Sequence, residues 1–137
     1  MTFENKLVAV LNKEVESGVV LNALAHMTIG LGAAVGKDLL RLNDYLDASE
    51  QTYPNISQIP FIILRAKSND IRKLVNQAKE GKVLHGVFLD TMTGGAYVEQ
   101  LARTAKSTPE TFTYYGCVLF GDWQTVSGMT RKFSLWR

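Results

Sequence analysis

A single cysteine, Cys117, leaves this chain of 137 residues without an internal disulfide. No second cysteine or closely spaced histidine pair offers a zinc site, so a reduced, cytoplasmic setting without metal or other cofactor is expected. Imidazole is equally scarce. His26 and His85 are the only two histidines, which confines general acid–base chemistry near neutral pH to few positions. No GxSxG, P-loop, HExxH or GxGxxG pattern occurs, so the familiar hydrolase, nucleotide and dinucleotide fingerprints are absent. Charge of one sign is lacking too: 15 Lys and Arg face 13 Asp and Glu, a formal +2 that is far weaker than the footprint of a dedicated nucleic-acid binder. The opening MTFENKLVAVLNKE carries acidic residues that signal peptides avoid, and its apolar run is too short for a membrane span, so no membrane partner is expected. Repeats, low-complexity tracts and linkers are also missing. One domain over residues 1–137 follows, large enough to bury roughly two-thirds of its unfolded surface.

What the chain does have is a long stretch of small and apolar residues, SGVVLNALAHMTIGLGAAV, over Ser17–Val35. Val20, Ala23, Leu24, Met27, Leu31 and Ala34 recur at helical spacing and mark a core face. The flank with Asn22, His26, Ile29, Gly30 and Ala33 has no charge, which predicts a central helix covered on two sides. Gly30 and Gly32 each cost about 1 kcal/mol relative to Ala in a helix interior, and close approach of another backbone is the expected compensation. Ser17 is placed to cap this helix, and Gly36 to end it.

Around that helix the pattern alternates. Lys6–Leu11 suits a strand covered on both faces, and Leu42–Leu46 an exposed or edge strand. Ala48–Pro60, interrupted by Pro54 and Pro60, reads as a loop. PFIILRA is a strand, and a helix follows from Ser68-Asn69-Asp70 to Gly81 with Ile71, Leu74, Val75 and Ala78 buried. Lys82–Asp90 returns to a strand. Beyond Thr91-Met92-Thr93-Gly94-Gly95 comes a helix lined by Val98, Leu101, Ala102 and Ala105, with Glu99 and Arg103 paired across a turn. FTYYGCVLFGD is a further strand with a candidate bulge at Gly116, and Thr125–Arg137 adds a short helix and an apolar end. The reading is a layered α/β domain: a mixed, mostly parallel sheet of about four to five strands with helices on both faces.

Ligands of such sheets collect where strand ends lead into helices. Two loops qualify, Lys13–Gly18 and Asp90–Gly95, and parallel strands would set both on one rim. DTMTGG offers a carboxylate, two hydroxyls and two glycine amides near a helix start, which suits an anion; alternatively Asp90 only satisfies turn amides and the glycines only shape the bend. His26, with Asn22 one turn before it, is either a functional imidazole or a hydrogen-bonded core residue. Cys117, between apolar neighbours, reads as an inert buried thiol. Arg65/Lys67, Arg72/Lys73, Lys79/Lys82 and Arg131/Lys132 form a solvated basic face or a stripe for RNA phosphates.

An opening strand, a turn, GVVLNALAH on a small-residue helix, the PFIILRAKSNDIRKLVNQAKEGKV unit and a strand ending FLD before a Thr/Gly loop together resemble type-2 peptidyl-tRNA hydrolase. More closely, the chain resembles a family of uncharacterised small bacterial proteins, a domain of unknown function that shares that hydrolase's fold. The likeness spans most of Leu7–Asp122 as an order of elements. It implies Gly18 as the turn glycine, His26 as the helix histidine and Asp90 as the loop aspartate, with Thr91 or Thr93 standing for the loop threonine. The turn lysine falls instead on Val19, the neighbouring basic position on Ser17 and the helix glutamine on Ala23. Valine donates no hydrogen bond to a developing oxyanion.

Three functions remain in view. In an ester hydrolase acting on peptidyl-tRNA or a related substrate, Asp90 orients His26 or a water, and Thr93 with backbone amides receives the oxyanion. In a non-catalytic module, Ser17, Gly18, Asn22, Gly94 and Gly95 hold a small anionic ligand or an RNA end. In a homodimeric interaction protein, exposed Tyr97, Trp123 or Trp136 seals the contact.

Overall fold

Eight residues rich in Val and Leu, Asn5–Asn12, form strand β1 at the centre of the sheet in a computed structural model that describes residues 3–137. The chain continues through α1 (Ser17–Val35), β2 (Leu42–Leu46), β3 (Thr52–Ser57), β4 (Phe61–Ala66), α2 (Ser68–Glu80) and β5 (Leu84–Leu89). A single 3-10 turn at Asp90–Met92 leads to α3 (Tyr97–Ala105), β6 (Tyr114–Asp122), α4 (Trp123–Thr130) and β7 (Ser134–Leu135). Five strands make one sheet in the order β5-β6-β1-β4-β7, while β2 and β3 pair only with each other.

The expectation of a mostly parallel sheet is corrected. Among the described residues only β1 and β4 pair in parallel; β6 runs antiparallel to both β1 and β5, and β7 antiparallel to β4. A strand covered on both faces reads as a continuous apolar run whichever way its neighbours point, so periodicity carries no direction. β1, β4 and β5 nevertheless run the same way, and their carboxyl ends share one edge of the sheet.

Alternation along β1 divides the core into two layers. Leu7, Ala9 and Leu11 meet Val20, Ala23, Met27 and Leu31 of α1 on one side. Val8 and Val10 meet Ile71, Leu74, Val75 and Ala78 of α2 on the other, with Val126 of α4. The two layers place α1 and α2 on opposite faces. α1 is covered on one side only, contrary to the expectation of a helix sandwiched between two layers: Leu21 and Ile29 stay 52% and 71% exposed. Ser17 is the first helical residue, Glu16 precedes it as N-cap, and no side-chain cap bond forms.

The glycines behave differently from their pattern. A Cβ on Gly30 would meet nothing within 4 Å, and one on Gly32 only Leu40 Cδ1 at 3.7 Å. Close approach is supplied from the sheet instead, by Gly86 and Gly116, whose added Cβ atoms would press on Met27 of α1. Gly30→Ala should therefore stabilise the fold by about 1 kcal/mol through the unfolded chain and helix propensity. Thermal unfolding would report it as a rise of roughly 3 °C.

One further expectation is corrected by packing. Residues Thr52–Ser57, read as loop because of Pro54, form a strand, which tolerates proline because the hairpin's outer edges need no donor. Asp47 closes its turn: Oδ1 accepts from the Ser49 and Gln51 amides, and the Tyr53 hydroxyl donates to Oδ2 at 2.7 Å. The Tyr53 hydroxyl and the Gln51 amide hold this carboxyl below the usual carboxylate range. α3 buries none of its residues; Val98 and Leu101, on the side that the helical spacing marks as apolar, are 74% and 52% exposed.

Candidate functional site

β5 is an edge strand, α1 lies across the sheet beside it, and α3 stands off the sheet beyond it, so the three bound an open cleft of about 760 Å³. Leu84 and Phe88 form its floor, Asn22 and His26 one wall, Tyr97 and Leu101 the other. His26 is exposed, its ring 6.1 Å from that of Phe88 and tilted by 32°. His85, also on the cleft, has Nδ1 2.8 Å from the Val83 carbonyl, a contact that sets its ring orientation. Among the described residues, no Asp, Glu, Lys or Arg lines this space.

Asp90 does not meet His26. No hydrogen bond joins them among the described residues; Asp90 Oδ1 accepts from the Thr113 amide at 3.1 Å and the Asp90 amide donates to the Thr113 carbonyl at 3.0 Å. This pair of bonds closes the excursion between β5 and β6 at its base. Asp90 therefore acts as a clasp, and it lies outside the walls of the cleft.

The Thr/Gly loop is folded around Arg103. Its guanidinium donates to the carbonyls of Thr91, Thr93 and Gly94, and Thr104 Oγ1 donates to Thr91 Oγ1 at 2.7 Å. Gly94 and Gly95 take φ of 78° and 70°, a left-handed bend that favours glycine. At the start of α3 the Ala96 amide donates to Glu99 Oε1 at 2.9 Å, so a carboxylate of the chain itself already occupies the electropositive helix end. The four-residue spacing of Glu99 and Arg103 suggests an outward pair; their use inside the loop carries no separate sequence signal.

Of the residues expected at a site, the cleft brings together His26, Asn22, Thr93 and Gly94. Ser17, Gly18, Gly95 and Asp90 lie outside its walls. Sequence reasoning missed Asn12, which is 1% exposed and ties the turn entering α1 to the start of β6: Nδ2 donates to the Tyr114 carbonyl and Oδ1 accepts from the Glu14 amide, each at 2.9 Å. An asparagine ending an apolar strand looks like a boundary residue, and nothing in its neighbours marks it as buried. Cys117 is enclosed, and burial pushes its thiol up to about 12, so no thiolate is present at neutral pH. Trp123 stacks on Phe3 and lies under Lys6, and Trp136 packs against the α1-side core, which leaves Tyr97, 72% exposed, as the bare aromatic among the three.

Comparison with known proteins identifies the lineage. Residues 5–137 match the family described as a protein of unknown function, DUF2000. The chain belongs to that family. It is also similar to a solved structure, that of the protein of unknown function Atu0240 from Agrobacterium tumefaciens strain C58, with a TM-score of 0.85 at 20% identity over 99% of this chain and 100% of that one. At that identity the likeness establishes the shared fold, here a mixed α/β arrangement with a five-stranded sheet. No curated protein matches the chain. The cleft between α1, β5 and α3 is therefore read from its own geometry.

Proposed function

We propose that this DUF2000 protein is a binding module whose α1–β5–α3 cleft takes a small molecule with an apolar body and an uncharged hydrogen-bonding end. The observation that carries this is the composition of the walls: Leu84, Phe88 and Leu101 offer apolar surface, His26, Asn22 and Gln100 supply a few polar groups, and among the described residues no Asp, Glu, Lys or Arg faces the space. A strongly anionic ligand finds no free cation there, since Arg103 is committed to three carbonyls and Glu99 fills the start of α3.

The ester-hydrolase reading draws on the resemblance to type-2 peptidyl-tRNA hydrolase and on His26 and Thr93 sharing one cleft. Against it stand Val19 at the position of the lysine and Asp90 clasped to Thr113, which leave the imidazole without an orienting carboxylate. Arg131 and Lys132, candidates for RNA contact, border a separate depression with Glu80 between α2 and α4, on the opposite face.

A fragment screen by protein-observed NMR tests the binding reading. Fragments with an apolar ring and one amide or hydroxyl should perturb His26, Phe88 and Leu101. Gly30→Phe, placed where a side chain meets only open space, should fill the cleft and abolish those perturbations without unfolding the chain. His26→Ala should weaken the same fragments about fivefold, the worth of one modest hydrogen bond. Perturbations confined to another surface would overturn the proposal. Cleavage of peptidyl-tRNA by wild type but not by His26→Ala would replace it with the hydrolase.

A further inference from the structure

We infer that a second copy of this chain packs on the outward face of α1, gripped by the β2–β3 hairpin of each partner. Three independent features converge on this arrangement.

First, among the described residues the β2–β3 hairpin stands apart from the body of the chain. β2 is exposed at every residue, and the hairpin forms a sheet of two strands separate from the main one. Its ties to the body lie at its base, where the Ser57 hydroxyl donates to the Leu40 carbonyl and the Gln58 amide to the Arg41 carbonyl. Isolated two-stranded hairpins are marginal in water. The register sets Tyr45 opposite Tyr53 and, through an irregularity between Asn43 and Tyr45, sets Asn43 opposite Ile56. Residues opposite each other share a face, and residues two apart on β2 do as well, so Tyr45, Tyr53 and Ile56 form one apolar patch. Each is about half exposed.

Second, α1 contains no Asp, Glu, Lys or Arg in 19 residues, although its outward side is bare. Leu21 and Ile29 stand there, and uncharged helices of this kind are ordinarily covered all round. By length and composition α1 could cross a membrane, yet Val20, Ala23, Met27 and Leu31 are buried against the sheet.

Third, the charges are divided between arm and body. Residues 42–57 carry Asp44, Asp47 and Glu50, and none of the 15 basic residues falls among them. An acidic arm is repelled by an anionic lipid surface and drawn to the basic remainder of the same sequence. One chain thus presents both an apolar acidic arm and an uncovered apolar face. A two-fold axis lets each copy cover the other's, with every contact made twice.

Sedimentation equilibrium on the whole chain tests this. The wild type should sediment as a dimer of the 15.2 kDa chain at low micromolar concentration. Ile29→Glu on the face and Tyr45→Lys on the arm should each weaken self-association by about tenfold or more while circular dichroism stays native. Mixing the two variants should restore the dimer, because one contact then joins an unaltered arm to an unaltered face, and in the other the introduced lysine meets the introduced glutamate. A wild-type monomer at about 100 µM would overturn the inference, since at that Kd the contact is worth only about 5 kcal/mol. So would a dimer indifferent to both substitutions, a mixture that fails to reassociate, or flotation of the wild type with anionic vesicles that Ile29→Glu abolishes. The fragment-binding experiment on the cleft is unaffected by any of these results, so the two proposals fail separately.

Discussion

Gly116→Val is expected to destabilise the protein by about 3 kcal/mol, at the upper end of overpacking in a filled core. The added Cβ alone would sit 2.8 Å from Met27 Cε, 3.0 Å from Leu11 Cδ2 and 3.3 Å from the Val10 carbonyl oxygen. The methionine end can swing away, but Leu11 is fully buried and the carbonyl belongs to β1, so the strand or α1 must shift. Gly116→Ala should cost less, about 1–2 kcal/mol, because only the Cβ has to be housed. Denaturant midpoints at unchanged slope would report both, and the Val variant should melt about 10 °C lower. A double-mutant cycle gives the specific test: in a Met27→Ala background the Gly116→Ala penalty should shrink, since the nearest atom is gone. Equal penalties in both backgrounds would place the strain elsewhere. Because Met27 also lines the cleft, displacement of α1 should reduce fragment binding in the Val variant as well.

Asn12→Leu is the second large effect, expected at about 3 kcal/mol. The side chain is almost the size of the one it replaces, so the loss is polar: the Tyr114 carbonyl loses its donor and the Glu14 amide its acceptor in a site 1% exposed. These bonds tie the turn entering α1 to the start of β6. Asn12→Asp keeps the acceptor for Glu14 but sets a carboxylate against the Tyr114 carbonyl. Burial and that carbonyl raise the pKa of the introduced acid in the folded state, so this variant should be the less stable one at neutral pH and recover as pH falls and the acid binds its proton. Urea unfolding of wild type and both variants at about pH 5 and about pH 8 would check this. An Asn12→Asp variant with no pH trend would show that the site admits water.

Much of the fold is legible residue by residue. α1 ends where the helical spacing ends, and α2 buries Ile71, Leu74, Val75 and Ala78 as their spacing requires. Those signals are local, because an amphipathic stripe or an apolar run records what one segment must hide. β3 was hidden by Pro54, whose missing donor matters in a central strand and not in a free hairpin. α3 has the spacing of a packed helix, yet its apolar residues face the cleft and solvent, since periodicity tells which side is apolar and not whether anything covers it. Asp90 shows the same limit at the site. Its loop position suits a catalytic carboxylate, and Thr113, reached only when the chain returns from α3, takes that carboxylate for the turn.

Taken by itself, the order of residues determined the α/β class, the extents of α1 and α2, the apolar cover on both faces of β1 and an unreactive thiol at Cys117, because each follows from short-range spacing and side-chain chemistry. Tertiary structure alone decided the antiparallel insertion of β6 between β1 and β5, the one-sided cover of α1, the tight contacts at Gly86 and Gly116, and the cleft that unites His26 with Thr93 while leaving Asp90 outside. Those depend on which distant segments become neighbours, and strand direction and contact are properties of pairs that no single stretch of sequence contains.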